Sequence, residues 1–211
     1  MSAESKKCKI CRRQGVKLFL KGEKCFSAKC PLNKKPYPPG AKGKRRTRAP
    51  SEYGKELREK QKIKNWYNLS EHQFRKYVKK ALGERKSNEN SAEYLIQELE
   101  LRFDNVVLKL GFSSSHSHAR QMVSHGHFLV NEKPINIPSY SVKVGDKITI
   151  RKNSIVKPIF KEMISTIKKY QPPSWLKLDK SKLEGEVIGR PNIEEVNPPA
   201  EISSIFEFYS R

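Results

Sequence analysis

The sequence predicts an α+β protein: a helical domain closed by its own C-terminal tail, an inserted helix-helix-hairpin module, and a cysteine-bearing knuckle at the N-terminus. Three observations predict it. Apolar residues recur at helical spacing within residues 51–83 and again from Leu95 to Leu110. After Gly126 the pattern changes to period two. All four cysteines fall within the first thirty residues.

Composition narrows the class of partner. The 211 residues carry 44 Lys and Arg against 22 acids, a formal charge of +22, and only 36% are apolar. A solubilising surface would balance the two signs. An excess this large repels itself unless a polyanion neutralises it, and counterion release would drive binding to nucleic acid. No stretch is long and apolar enough to span a bilayer. Met1 to Lys7 lacks the apolar region of a signal peptide, so a cytoplasmic protein with reduced thiols is expected.

Cys8-Lys9-Ile10-Cys11 is followed by thirteen residues, then Cys25 and Cys30. A close CxxC pair plus a second nearby pair offers tetrahedral zinc four thiolates from two short loops. The segment has only Ile10, Val16, Leu18, Phe19, Leu20 and Phe26 to bury. It cannot build a core alone, so metal would supply the missing stability. The reading is a closed structural Zn2+ site on Cys8, Cys11, Cys25 and Cys30. Free buried cysteines and an iron–sulfur cluster are the alternatives, and a catalytic disulfide lacks its strand-and-helix context.

Pro36, Pro38, Pro39, Gly40 and Gly43 forbid a continuous helix over 31–50. Lys42, Lys44, Arg45, Arg46 and Arg48 place five cations in seven residues. Such a linker is ordered by phosphates rather than by packing. Tyr37 is its stacking candidate. Residues 1–50 therefore form a knuckle and basic linker.

A helix is predicted from Ser51, its cap, to Tyr67, made basic by Lys55, Arg58, Lys60, Lys62 and Lys64. Ser70-x-x-Gln73 is a capping box for the next helix, where Phe74, Tyr77, Val78, Ala81 and Leu82 form an apolar stripe. Arg75, Lys76, Lys79 and Lys80 occupy its other face. The apolar end Ile202-Ser203-Ser204-Ile205-Phe206-Glu207-Phe208-Tyr209 is predicted to fold back onto these helices. The helical domain then comprises 51–90 plus 192–211, and 91–191 is inserted, with a core module at 99–155.

In that module Leu95, Leu99, Phe103, Val106, Val107 and Leu110 predict one buried helix face, ended by Gly111. Asn90 and Glu93 cap that helix. Ser115 caps a second helix in which Ala119, Met122 and Val123 face inward. Phe128-Leu129-Val130 and Pro134-Ile135-Asn136-Ile137 flank Asn131-Glu132-Lys133 as a hairpin, and Lys147 to Arg151 alternates like a half-buried strand. Arg102, Arg120, His125, His127 and Lys133 line the rim, which suits a phosphate-lined surface. Further on, Phe160, Met163, Ile164 and Ile167 mark another helix, while Trp175-Leu176 and Leu183 to Val187 read as short strands. No Asp or Glu is placed to orient a catalytic imidazole and no nucleophile stands in an elbow motif, so an enzyme is not expected.

The module resembles the small RNA-binding module shared by a small-ribosomal-subunit protein, pseudouridine synthases and bacterial tyrosyl-tRNA synthetases. The residues that carry the likeness are Arg102-Phe103-Asp104-Asn105, Leu110-Gly111-Phe112, Ser115 to Gln121, His125-Gly126-His127-Phe128 and Val130-Asn131-Glu132. The whole chain resembles the bacterial small-ribosomal-subunit protein four family in its zinc-bearing form. Supporting residues are the cysteines, Lys17-Leu18 with Lys21-Gly22, Arg46, Pro36-Tyr37-Pro38-Pro39-Gly40, Leu57 to Lys62, Gln73-Phe74-Arg75, Trp175-Leu176 and Glu207 to Arg211. It departs at Ala41-Lys42, at His72 and His116 where the family often has Arg, and at Glu132 in place of the hairpin glycine.

The resemblance implies a structural, primary binder of 16S-type rRNA that nucleates small-subunit assembly and contributes to translational accuracy. The implied partners are neighbouring small-subunit proteins and mRNA where it enters its channel. Candidate RNA contacts are Tyr37, Lys42, Lys44, Arg45, Arg46, Arg48, Arg58, Lys60, Lys62, Arg75, Arg102, Ser115, Arg120, Gln121, His125, His127, Asn131 and Lys133. The alternative is a fragment of an RNA-modifying enzyme or tRNA synthetase carrying the same module. It requires a catalytic domain for which residues outside 90–155 leave little room. A zinc-dependent DNA-binding regulator requires a recognition helix that no motif supplies.

Overall fold

The structure is a computed structural model that describes residues 6–40, 49–83 and 90–210. It combines helices with an antiparallel sheet. The chain divides into two compact units, one of residues 1–92 with 197–211 and one of residues 93–196.

The first unit opens with short helices α1 (Lys6–Gln14), α2 (Glu23–Phe26) and α3 (Pro31–Lys34). Their apolar content is small: Cys11, Leu18 and Leu20 are buried, with Ile10 and Trp66 against them. Two residues expected inside, Phe19 and Phe26, are exposed instead. Ser51 caps α4 (Glu52–Trp66), its hydroxyl accepting from the Gly54 N–H at 3.2 Å. Ser70 does the same for α5 (Glu71–Gly83), accepting from the Gln73 N–H at 3.3 Å. Phe74, Val78 and Ala81 of the predicted stripe are fully buried.

The second unit holds the sheet. Asn90 caps α6 (Ser91–Glu100), accepting from the Ala92 N–H at 3.2 Å. The single helix expected from Leu95 to Leu110 is broken at Leu101-Arg102, and a second helix, α7 (Phe103–Lys109), starts there. Arg102 is extended and bridges Ser141. The passing 138–142 segment satisfies the new helix start, since Phe103 and Asp104 donate to the Tyr140 and Pro138 carbonyls at 2.9 and 3.1 Å. Asn105 closes the old end by donating to the Glu100 carbonyl at 2.9 Å. Spacing alone could not reveal the break, because the apolar face continues across it.

Ser115 caps α8 (His116–Ser124), which buries Ala119, Met122 and Val123 as expected. Next come β1 (Phe128–Val130), β2 (Lys133–Pro134), β3 (Lys147–Ile150), α9 (Lys152–Ile155), α10 (Pro158–Ile167), β4 (Leu176–Asp179) and β5 (Glu184–Val187). The hairpin's second strand is thus shorter than expected, and starts at Lys133. Val130 pairs with Lys133, leaving a two-residue turn of Asn131 (φ +47°) and Glu132 (φ +66°). The sheet is antiparallel in the order β2-β1-β3-β5-β4. The two strands expected near Trp175 and Leu183 therefore extend the same sheet, beside β3.

One core joins α7, α8, α10 and the sheet. Phe103, Val106, Val107 and Leu110 meet Ala119, Met122, Phe128, Ile148, Phe160, Trp175 and Val187. Gly185 leaves room for that packing, because a Cβ there would run into the Leu110 side chain. A last short helix, α11 (Ile193–Val196), ends the unit. The chain then returns to the first unit as α12 (Ile202–Ser210), which lies along α4 with Ile202 and Ile205 buried.

Candidate nucleic-acid interface

In the second unit the candidate surface is built around one carboxylate. Asp104 opens α7, where the helix dipole favours an anion. Its carboxylate accepts from Arg102 Nε at 3.1 Å and Nη2 at 2.9 Å, and from Arg120 Nε and Nη2 at 3.1 and 2.9 Å. Arg102 is buried, so it braces Asp104 and does not stand on the rim where the sequence placed it. Arg120 is half-buried, so part of its side chain reaches the surface.

Beyond it, Gln121, Ser124 and His125 are exposed on α8 and at its C-cap. Lys133 is exposed on β2, the edge strand. His127 also lies off the rim on which the sequence placed it. It is buried, with Nδ1 3.0 Å from the Ser154 hydroxyl and its ring edge-on to Phe160 at 5.6 Å. Burial lowers its imidazole, with Lys157 and His125 adding to the fall, so a cationic contact from His127 is disfavoured. Its carbonyl instead accepts from the Arg151 N–H at 2.9 Å. That bond sets Arg151 beside the start of β1, and Lys152 follows it; both are exposed, two cations that the sequence did not single out. The only signal for them was their position just after the alternating strand.

Two further candidates are structural in part. The Ser115 hydroxyl is engaged as the α8 cap. Asn131 is exposed but ties two loops, donating to Asp146 Oδ1 at 2.7 Å while its own carbonyl oxygen accepts from the Lys147 N–H at 2.9 Å.

In the first unit Arg58 and Arg75 are exposed, as are Lys76, Lys79 and Lys80 along the outer face of α5. Lys62 is half-buried and ion-paired with Glu59. Lys60 is buried, which removes it from the interface: its ammonium donates to Glu71 at 2.7 Å and lies over the Phe208 ring at 4.4 Å. Burial would raise the Glu71 carboxyl, but hydrogen bonds from Lys60, Tyr209 and Lys64 outweigh it and hold it at about 2. Tyr37 is half-buried, with the Arg12 guanidinium 4.9 Å above its ring. Arg12 Nε in turn donates to the Lys35 and Tyr37 carbonyls at 3.0 Å. Lys42, Lys44, Arg45, Arg46 and Arg48 lie outside the described residues.

Cys8, Cys11, Cys25 and Cys30 are all free thiols and line one pocket together with lysines 7, 21, 24, 29, 34 and 35. Burial pushes the Cys11 thiol up, and the other three cysteines add to that. The four soft donors thus converge, although among the described residues no group of three or more Cys, His, Asp or Glu is already in metal-holding geometry. In donor type and convergence the set fits zinc.

Two family models match adjoining stretches. Residues 3–100 match the ribosomal protein S4/S9 N-terminal domain, and residues 101–148 match the S4 domain. The chain is 47% identical over 204 residues to the small ribosomal subunit protein uS4 of Caldicellulosiruptor saccharolyticus, covering 97% of this chain and 96% of that one. The uS4 proteins of Halothermothrix orenii and Dictyoglomus turgidum, at 44% and 47% identity, match with the same coverage. Both units fall within these matches, and on that ground the chain belongs to the uS4 family of small ribosomal subunit proteins.

Proposed function

We propose that this protein is a primary binder of 16S-type rRNA that nucleates small-subunit assembly and contributes to translational accuracy where mRNA enters its channel. It is a structural ribosomal protein that binds rRNA, and no bond is made or broken. The observation that carries the RNA reading is the set of outward polar groups on the second unit: exposed Gln121, His125, Lys133, Arg151 and Lys152, with half-buried Arg120 held in place by Asp104. Such a surface recognises backbone and shape rather than base sequence. The exposed cations of α5 supply a second phosphate surface, and neighbouring small-subunit proteins are further partners.

The chain would then comprise a knuckle and linker at 1–50, a helical domain of 51–90 plus 192–211, and an inserted domain at 91–191. Cys8, Cys11, Cys25 and Cys30 would hold one structural Zn2+, whose bonds to the thiolates stabilise a segment with little core of its own. Free thiols converging on one pocket support this.

The test is binding to purified small-subunit rRNA across a salt series, against an unstructured RNA of equal length. Tight, selective binding with a slope on the order of several phosphates neutralised is expected. Equal affinity for both RNAs would mean that charge acts alone and would remove the assembly role.

A further inference from the structure

We propose that Phe26, backed by Phe19, is a stacking platform for an unpaired RNA base, with Lys21 and Lys24 taking the flanking phosphates. The proposal deepens the rRNA-binding reading and rests on it. Phe26 is 74% exposed and Phe19 39%, in a segment short of apolar residues. Their rings are stacked on each other, centroids 4.8 Å apart and 28° from parallel. Phe19 supports one face of Phe26, which leaves the other available to a third flat ring.

The backbone is arranged to keep the pair outside. Leu18 and Leu20 are buried, while Phe19 between them takes a left-handed conformation (φ +50°). That conformation is strained for a bulky side chain, and glycine would avoid most of the strain. Strain accepted in order to bury a ring would leave that ring inside. Strain on an outward-facing ring is what a binding surface shows. Ser27 helps fix the platform, its hydroxyl donating to the Lys24 carbonyl at 3.1 Å.

The surroundings select the occupant. Lys21 and Lys24 are exposed, and among the described residues neither is ion-paired. With Lys29, Lys34 and Lys35 they line the cysteine pocket, to which Leu20 and Ser27, the chain neighbours of the two rings, also contribute. An aromatic platform with exposed cations at hand matches a single-stranded nucleotide, whose base stacks while its phosphate is neutralised. An apolar protein surface would find no partner for those charges.

The experiment uses the full-length protein and purified small-subunit rRNA. Phe26→Ala is expected to weaken binding about tenfold with an unchanged salt slope, because no charge is lost. Phe26→Trp should retain affinity, and its indole emission should be quenched when RNA is added. Phe26→Leu keeps an apolar contact with Phe19 but offers no ring, so it should behave like Phe26→Ala even if the alanine variant is less stable. Lys24→Ala should lower the salt slope by about one. Affinity of Phe26→Ala and Phe26→Leu equal to that of the unsubstituted chain would overturn the platform while leaving the rRNA-binding reading intact. The platform is overturned equally if these variants keep rRNA affinity but lose a neighbouring small-subunit protein. Failure of the unsubstituted chain to select the rRNA would overturn both.

Discussion

Asp104 accepts from two guanidinium groups that do different work. Arg102 is buried beside it, so removing the carboxylate strands a charge away from water. Asp104→Asn should therefore destabilise the second unit by about 3–5 kcal/mol, read as a lower urea midpoint. Arg120 is half-exposed, so Arg120→Ala should cost no more than about 1 kcal/mol and act mainly on RNA affinity. Equal losses of stability from the two would contradict this division. The contrast depends on burial that sequence spacing did not indicate.

His116 adds a pH dependence at the same site. Burial pushes its imidazole down to about 4; Asp104 opposes this, while Lys109, Arg120 and Arg102 add to it. The unfolded chain would take up that proton near 6.5, its ordinary value. Stability from the neutral form is then whole above pH 6.5 and is lost as pH falls towards 4. His118 and His127 are also lowered, chiefly by burial, and act in the same direction. The urea midpoint should fall between about pH 7 and pH 5, and His116→Gln should flatten that fall. An unchanged slope in the variant would assign the effect elsewhere.

Among the elements, the hairpin turn carries a local penalty. Glu132 holds φ +66° where a glycine would hold it without a Cβ clash. Glu132→Gly should raise stability by about 0.5–1 kcal/mol, seen as a higher melting temperature. No gain would mean that the Glu132 side chain makes a compensating contact. The same substitution at Asn131 is costly, since its side-chain amide joins Asp146 and Lys147. Caps at Ser51, Ser70 and Ser115 were legible from the chain alone, because each needs only a hydroxyl and an N–H three residues on. The break between α6 and α7 was not, because it is made by residues 138–142, far along the chain.

Across the whole molecule, the net charge of +22 and the sparse core of residues 6–40 have one consequence in common. Both leave the isolated chain short of cohesion, which bound cations or polyanions would supply. Removing metal with a strong chelator should unfold the cysteine segment and lower rRNA affinity, while leaving the core of the second unit intact. Near-ultraviolet circular dichroism with a zinc assay would follow this. Retention of structure in residues 8–30 after complete metal loss would end the zinc reading.

The sequence by itself determined the mixed helix-and-strand class, the caps, the apolar stripes, the basic partner class and the grouping of cysteines. Each of these depends on neighbours within a turn or two, or on total charge. Only the tertiary structure decided which cations face water. Lys60, Arg102 and His127 look like surface residues in the chain, yet each is buried by partners brought from a distance: the rings of α12, the 138–142 segment, and Ser154 with Phe160. In the opposite direction, Phe19 and Phe26 look like core and are exposed; at Phe19 the left-handed backbone turns the ring away from the side that buries Leu18 and Leu20. Hydrophobicity and charge set what a side chain prefers, but its partners within the fold decide whether it is buried or exposed.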